Sequence, residues 1–180
     1  MKKKILLGIT GGIAAYKAIE IARAFIKKGY EVFPVMTKHA TEFVQPLTFE
    51  VITSHKVGFD LFQRDLPSHI PHIDLARDTD IMLIAPATAN IIAKTNAGLC
   101  DDLLSTLIVA TTSPVVFAPA MNKEMYLNAI TQKNIESLKK IGYHFIEPES
   151  GELACKEEGI GRLASIETIT NDTLRILNEK

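Results

Sequence analysis

The chain has 180 residues, enough for one domain with a sizeable core, and its 47% hydrophobic and 23% charged residues are ordinary for a globular enzyme domain. A formal net charge of −1, with no basic block beyond Lys2, Lys3 and Lys4, argues against a nucleic-acid-binding protein. No apolar run approaches the roughly 20 residues of a membrane span, and neither a signal peptide nor a disulfide framework is evident. We therefore expect a cytoplasmic protein with no membrane or nucleic-acid partner.

The beginning of the chain predicts a β-strand, a helix and a second β-strand. Lys4–Ile9 is apolar, a glycine turn follows, and apolar residues then recur at helical spacing over 13–28. Glu31–Met36 is the second strand-like run. Residues 38–53 read as helical with an interruption at Pro46, and 56–71 as a short strand and a loop. A βαβ unit of this kind favours a parallel sheet with helices on its faces.

The rest of the chain continues the alternation of strands and helices. Strands are predicted at 80–85, 115–118 and 143–146, helices at 88–97, 102–111, 122–141 and 168–178, and a long flexible loop or flap at 147–163. We predict an α/β fold, with one domain over 1–180 that contains a doubly wound, Rossmann-like parallel sheet with helices on both faces. In such sheets ligands bind outside the carboxyl ends of the strands, here at 8–13, 85–91 and 118–122.

The first of these strand ends carries the glycine loop Gly8-Ile9-Thr10-Gly11-Gly12-Ile13. Glycines let the backbone approach a ligand, and the amides that open the next helix favour an anion. The loop matches neither a Walker A sequence nor the G-x-G-x-x-G fingerprint, and Thr37, not an acidic residue, ends the second strand. Taken alone, the loop is compatible both with a bound anion and with a tight turn that binds nothing.

Three further residues are candidates for chemistry, and each has a structural alternative. His72 is a titratable side chain near a predicted strand, but its spacing alone favours a half-exposed loop histidine or a helix cap. Asn122 could offer a donor and an acceptor to a carboxylate or amide substrate while also capping a helix. Cys155, beside Lys156, could be an accessible thiol with a lowered pKa or a small buried residue.

Two other kinds of site have little support in the sequence. Asp101 and Asp102 are neighbours that would not face one another on a helix, so a cap role is favoured over paired acid–base catalysis. No cluster of His, Cys, Asp or Glu has the spacing of metal ligands, and we predict no metal site.

Six segments in the same order resemble the flavin-dependent cysteine decarboxylases. The resemblance covers about residues 4–165 and rests on GITGGIAAYK at 8–17, HIDL at 72–75, PATAN at 86–90, AGLCDDLLST at 97–106, PAMNKEMY at 119–126 and LACKEEGIGRL at 153–163. Each segment alone is modest evidence, but the six together form a specific match.

The resemblance implies an FMN site at a subunit interface in a homo-oligomer, a trimer or a multiple of trimers. It assigns flavin binding to Gly11, Gly12, Ile13, Thr37, Thr88, Ala89, Asn90, Ile91 and Ala118. It makes His72 the active-site base, reaching across from a neighbouring subunit, and Cys155 a late proton donor on the flap. Asn122 would hold the carboxylate or amide of the substrate.

The implied activity is decarboxylation of a cysteine-derived small molecule, with the branch that converts 4′-phosphopantothenoylcysteine to 4′-phosphopantetheine in coenzyme A biosynthesis as the best match. The alternatives are a peptidyl-cysteine decarboxylase, which stops at the ene-thiol, a flavin prenyltransferase, and a non-catalytic flavin-binding regulatory subunit. Thr88 and Ile91 depart from the Ser and Thr that the family commonly has there, and Lys156 replaces its usual Gly.

Overall fold

The computed structural model describes residues 2–62, 71–152 and 158–179 and contains a five-stranded parallel sheet. Its strands are β1 (Lys4–Ile9), β2 (Glu31–Met36), β3 (Ile81–Ala87), β4 (Val115–Pro119) and β5 (His144–Phe145). Their order in the sheet is β2-β1-β3-β4-β5, and every pairing is parallel. The direction of winding reverses between β1 and β3, so the predicted doubly wound sheet is confirmed.

Helices cover both faces of this sheet. They are α1 (Lys17–Lys27), α2 (Pro46–Thr53), α3 (Pro71–Arg77), α4 (Ala89–Ala97), α5 (Leu103–Ala110), α6 (Lys123–Leu127), α7 (Ala129–Lys140) and α8 (Ile166–Asn178). One core packs α1, α2 and α8 against the sheet, and the other packs α3, α4, α5 and α7. Ile5 and Leu7 of β1 enter the first core and Leu6 enters the second, as the alternation of a strand requires.

Strand β3 is longer than the sequence indicates, because it runs through Pro86 to Ala87. The predicted end at Pro86 is therefore wrong. The register between β3 and β4 shifts between Ile84 and Ala87, and Pro86 lies in that irregular stretch. A proline without an N–H is tolerated at such a point because no ladder hydrogen bond is required of it.

The segment predicted as a long loop at 147–163 contains an antiparallel hairpin instead. Its strands are β6 (Glu149–Glu152) and β7 (Glu158–Arg162), and the residues between them lie outside the described part. Gly159 packs against the Lys123 side chain and Gly161 against the backbone of Met121. These glycines permit close packing between β7 and its neighbours. We predicted a loop because glycines more often interrupt a strand than allow such packing.

Two predicted helices are also subdivided. The predicted helix 13–28 begins with a 3-10 turn at Ile13–Tyr16, before α1. The predicted helix 122–141 is two helices, because the Asn128 side chain accepts a hydrogen bond from the Ile130 amide (2.9 Å) and starts α7 afresh. In the described ranges no helix is both long and apolar enough to cross a membrane.

Candidate functional site

The carboxyl ends of β1, β3 and β4 are tied together by hydrogen bonds. The Thr10 hydroxyl donates to the carbonyl oxygen of Pro86 (2.6 Å) and accepts from the Thr88 amide (3.1 Å). The Ala120 amide donates to the carbonyl oxygen of Ala87 (3.1 Å). The three strand ends that the sequence singled out therefore meet at the point where the winding reverses, the usual ligand position in such folds.

The glycine loop lies close to the residues that follow β2. A Cβ on Gly11 would lie 2.5 Å from the His39 Cβ and 2.8 Å from its carbonyl carbon, so only glycine fits there. A Cβ on Gly12 would lie 3.8 Å from the Thr88 methyl group. The loop thus brings its backbone to the edge of the sheet, between residue 39 and the start of α4.

Thr37 supplies an observation that bears directly on a ligand. Its amide donates to the carbonyl oxygen of Ile9 (3.0 Å), which holds it beside the glycine loop. Its hydroxyl oxygen is buried and has no hydrogen-bond partner among the described residues. A buried hydroxyl without a partner costs about 1–3 kcal/mol of stability. An anion that accepts a hydrogen bond from the Thr37 hydroxyl would remove this cost.

The turn after β3 forms the next part of the site. The Thr88 hydroxyl accepts a hydrogen bond from the Ile91 amide (3.4 Å) and caps α4. Ile91 is buried in the core, whereas the Asn90 side chain is exposed. Ala118 is buried in β4.

Asn122 starts the helix that follows β4. Its side-chain oxygen accepts a hydrogen bond from the Glu124 amide (2.8 Å), so the predicted cap role is confirmed. Its carbonyl oxygen accepts from the Tyr126 amide (3.0 Å), which closes the first turn of α6.

Tyr126 links this helix to the start of the 147–163 segment. Its hydroxyl donates to Glu147 (2.6 Å), and the Lys139 ammonium donates to the other oxygen of the same carboxylate (2.6 Å). Burial alone would raise the pKa of Glu147, but the hydrogen bonds from Lys139 and Tyr126 hold that pKa below its usual value. Burial and the neighbouring Glu147 both raise the pKa of Tyr126, so it stays a neutral donor.

These elements enclose a cavity of about 690 Å³. Of the predicted site residues, it is lined by Gly11, Gly12, Ile13, Thr88, Ala89 and Asn122. The charged residues of its described lining are Lys17 and Arg162, and no carboxylate is among them. A mainly apolar cavity of this size with basic groups suits a flat ligand that carries negative charge.

The remaining predicted site residues lie elsewhere or outside the described structure. Thr37 is beside the glycine loop but does not line the cavity, and neither do Asn90, Ile91 or Ala118. The backbone of His72 is in the first turn of α3, and its side chain lies outside the described part. Cys155 also lies outside the described residues, so the roles predicted for it and for His72 stay predictions.

Our sequence reasoning did not single out Lys17 or Arg162. Both stand inside quoted segments, Lys17 five residues after the last loop glycine and Arg162 directly after Gly161. The available signal for a charged cavity lining was a basic residue within a few positions of a glycine segment. It was weak because most lysines and arginines are simply solvated surface residues.

Asp101 and Asp102 have the structural role that the sequence favoured. The Asp102 carboxylate accepts from the Ser105 amide (2.8 Å) and caps α5, and both aspartates contact the Lys94 ammonium (2.7 and 2.9 Å). Burial would raise the pKa of Asp102, but the Ser105 and Lys94 hydrogen bonds lower it overall. Within 2–62, 71–152 and 158–179 no three His, Cys, Asp or Glu residues are grouped as metal ligands.

A glycine loop at the switch point of a parallel sheet, beside a cavity with a basic lining, is typical of α/β proteins that bind an anionic cofactor or nucleotide. The chain belongs to the Flavoprotein family, whose model matches residues 1–178. The flavin class that the sequence resemblance predicted is therefore confirmed.

Individual relatives agree with this membership. The Probable phosphopantothenoylcysteine decarboxylase of Streptococcus mutans is 44% identical over 171 residues, 94% of this chain and 96% of that protein. The Coenzyme A biosynthesis bifunctional protein CoaBC of Vibrio parahaemolyticus is 48% identical over 161 residues, 89% of this chain. The chain spans only 40% of the length of that bifunctional relative.

The fold has also been solved in a related protein. A PPC decarboxylase mutant complexed with pantothenoylaminoethenethiol has a TM-score of 0.85 to this structure, with 31% sequence identity and all of both chains covered. The resemblance to the flavin-dependent cysteine decarboxylases, indicated by the six motifs, is confirmed by these relatives.

Proposed function

We propose that the protein is an FMN-dependent carboxy-lyase that converts 4′-phosphopantothenoylcysteine to 4′-phosphopantetheine in coenzyme A biosynthesis. The observation that carries the proposal is the cavity that joins the glycine loop to Asn122 at the switch point of the sheet. Membership of the Flavoprotein family and the near full-length match to the Streptococcus mutans relative support it.

The glycine loop and Thr37 fit the phosphate of FMN. The amides at the start of the 3-10 turn would bind an anion, and the Thr37 hydroxyl is buried with no described partner. The loop lacks the dinucleotide fingerprint, and no acidic residue follows β2 to bind a second ribose, which favours a mononucleotide. When bound, FMN supplies a two-electron sink for the substrate thiol and returns the electrons after CO₂ has left.

The Thr88–Ile91 turn and Ala118 would hold the flavin ring. Thr88 and Ala89 line the cavity, Asn90 and Ile91 follow them in the first turn of α4, and Ala118 lies near the end of β4. The apolar residues among them would keep water from the ring, and the Thr88 side chain is held in place because its hydroxyl accepts the hydrogen bond from the Ile91 amide.

The chain's own residues orient the substrate and move protons. Asn122 holds the carboxylate or amide of the cysteinyl end while its oxygen keeps the cap on α6. His72 acts as the base, reaching from a neighbouring subunit, and Cys155 protonates the ene-thiol late in the cycle. These last two roles come from the family resemblance.

A homo-oligomer, as a trimer or a multiple of trimers, is part of the proposal. Leu47 and Val51, one turn apart on α2, are 67% and 73% exposed, and the nearby Phe43 is also exposed. An apolar face of this kind is typical of a subunit interface. We also propose that the enzyme is cytoplasmic.

The test combines a visible spectrum with product analysis. Purified protein loaded with FMN should show bound flavin and, on addition of 4′-phosphopantothenoylcysteine, release CO₂ and form the saturated thiol, identified by its mass. His72→Asn should retain the flavin and release no CO₂, which serves as the control for non-enzymatic loss. Bound flavin with an unchanged substrate would overturn the proposed reaction, and would favour a peptide substrate or a regulatory role.

A further inference from the structure

Among the described residues that line the cavity, the charged ones are Lys17 and Arg162, and both are basic. Lys17 begins α1 directly behind the glycine loop, at the flavin end. We propose that Arg162 binds the distal phosphate of the substrate and so selects the phosphorylated substrate over its unphosphorylated form. This inference rests on the proposed function and deepens it.

The backbone fixes Arg162 at the Asn122 end of the cavity. The Met121 amide donates to the carbonyl oxygen of Gly161 (3.0 Å), and a Cβ on Gly161 would overlap the Met121 carbonyl oxygen. β7 is therefore seated directly on the loop that carries Asn122. The backbone of Arg162 therefore borders the substrate part of the cavity and not the glycine loop, and its half-exposed side chain extends from there to the rim, away from the cysteinyl end proposed for Asn122.

A carboxylate on the neighbouring strand holds the Arg162 side chain at the rim. Glu149 and Arg162 are paired across the hairpin, with 3.3 Å between the guanidinium nitrogen and the carboxylate oxygen. The other oxygen of Glu149 accepts from the Ser165 amide (2.7 Å), so the carboxylate is itself fixed. A guanidinium carries five N–H donors in a planar fork that matches a phosphate, and the contact with Glu149 engages one nitrogen.

The chemistry of the substrate decides which of its two anionic groups Arg162 binds. An ion pair between Arg162 and the reacting carboxylate would stabilise the ground state far more than the neutral amide of Asn122 does, and it would be lost as CO₂ leaves, which slows the reaction. A bond to the phosphate is the same before and after decarboxylation and simply lowers KM. The Arg162 side chain is 47% exposed, and a strongly hydrated phosphate loses least solvation at such a rim.

The test compares two substrates, 4′-phosphopantothenoylcysteine and pantothenoylcysteine, with the FMN-loaded wild type and Arg162→Gln. We expect Arg162→Gln to raise KM for the phosphorylated substrate about tenfold. Its kcat, its bound flavin and its KM for pantothenoylcysteine should stay unchanged. Arg175→Gln is the matched control, because Arg175 is an exposed arginine on α8 with its own carboxylate partners, and it should change neither KM.

A measurement on the wild type alone covers the case in which Arg162→Gln does not fold. 4′-Phosphopantothenate should inhibit about tenfold more tightly than pantothenate, and salt should weaken the difference. Equal inhibition by the two compounds, or equal losses on both substrates in Arg162→Gln, would overturn the inference and leave the proposed function standing. No turnover of either substrate by the wild type would overturn both.

Discussion

The cavity has two walls that are stabilised in different ways. The sheet wall, formed by the glycine loop and the ends of β1 and β3, stands on strands whose side chains are almost completely buried in two cores. The hairpin wall, formed by β7 and its contacts with the Asn122 loop, has two short strands and half-exposed ion pairs such as Arg162–Glu149. Exposed pairs of this kind contribute about 0–1 kcal/mol each, so the hairpin depends on a few close contacts.

This difference in stability suits two different roles, cofactor binding at the sheet wall and substrate binding at the hairpin wall. A cofactor that stays bound through many turnovers needs a rigid site, which the buried sheet provides. A substrate that must enter and leave is better served by a wall of lower local stability. We therefore expect changes in the sheet wall to remove the flavin and changes in the hairpin wall to impair turnover while the flavin remains.

The largest effect should come from Gly11→Ala in the sheet wall. The new methyl group would lie 2.5 Å from the His39 Cβ, so the loop must move away from the position that we propose for the flavin phosphate. We expect FMN affinity to fall at least roughly 100-fold, measured by flavin fluorescence titration. Gly29→Ala, at a positive φ with nothing within 4 Å of its Cβ, should lose about 1 kcal/mol of stability and keep the flavin.

Gly161→Ala in the hairpin wall should instead reduce turnover and leave the flavin bound. Its methyl group would overlap the Met121 carbonyl oxygen, so β7 must shift relative to Asn122. A displacement of about 1 Å can reduce turnover on the order of 100-fold, and we expect kcat/KM to fall by that amount with FMN still bound. Gly142→Ala has a similarly unfavourable φ but no neighbour within 4 Å, and it should leave turnover unchanged.

Tyr126→Phe removes one hydroxyl beneath the hairpin and leaves the buried ring in place. Because the hydroxyl donates to the Glu147 carboxylate, we expect a loss of about 1–2 kcal/mol in the free energy of unfolding, measured by urea denaturation. Tyr16→Phe, at an exposed ring, is the control for loss of a hydroxyl. Equal stability of Tyr126→Phe and the wild type would show that the link between α6 and Glu147 contributes nothing.

Glu147→Gln should have the smallest effect, and it should depend on pH. The folded-state pKa of Glu147 is lowered, so its stabilisation is complete above its unfolded pKa of about 4.3 and is lost as the pH falls through the folded value. The stability difference between wild type and Glu147→Gln should therefore be larger at pH 7 than at pH 3. A difference that grows toward acid pH would contradict the assignment.

The sheet wall could be predicted from the sequence, and most of the hairpin wall could not. The apolar runs in β1 and β3 are local signals, and the glycine loop and Thr37 follow directly from where those strands and β2 end. Gly161, by contrast, packs against Met121, 40 residues earlier in the chain, and no local pattern records that contact. Arg162 was missed for the same reason, since its place in the cavity depends on how β7 docks.

A crystal structure of the FMN-loaded protein would test this division most directly. We predict that the flavin phosphate lies on the amides of Gly11, Gly12 and Ile13 and accepts a hydrogen bond from the Thr37 hydroxyl, with the ring beside Thr88. Arg162 should then lie away from the flavin, at the open end next to Asn122. A flavin phosphate bound by Arg162, with the glycine loop making no contact with the cofactor, would contradict the account.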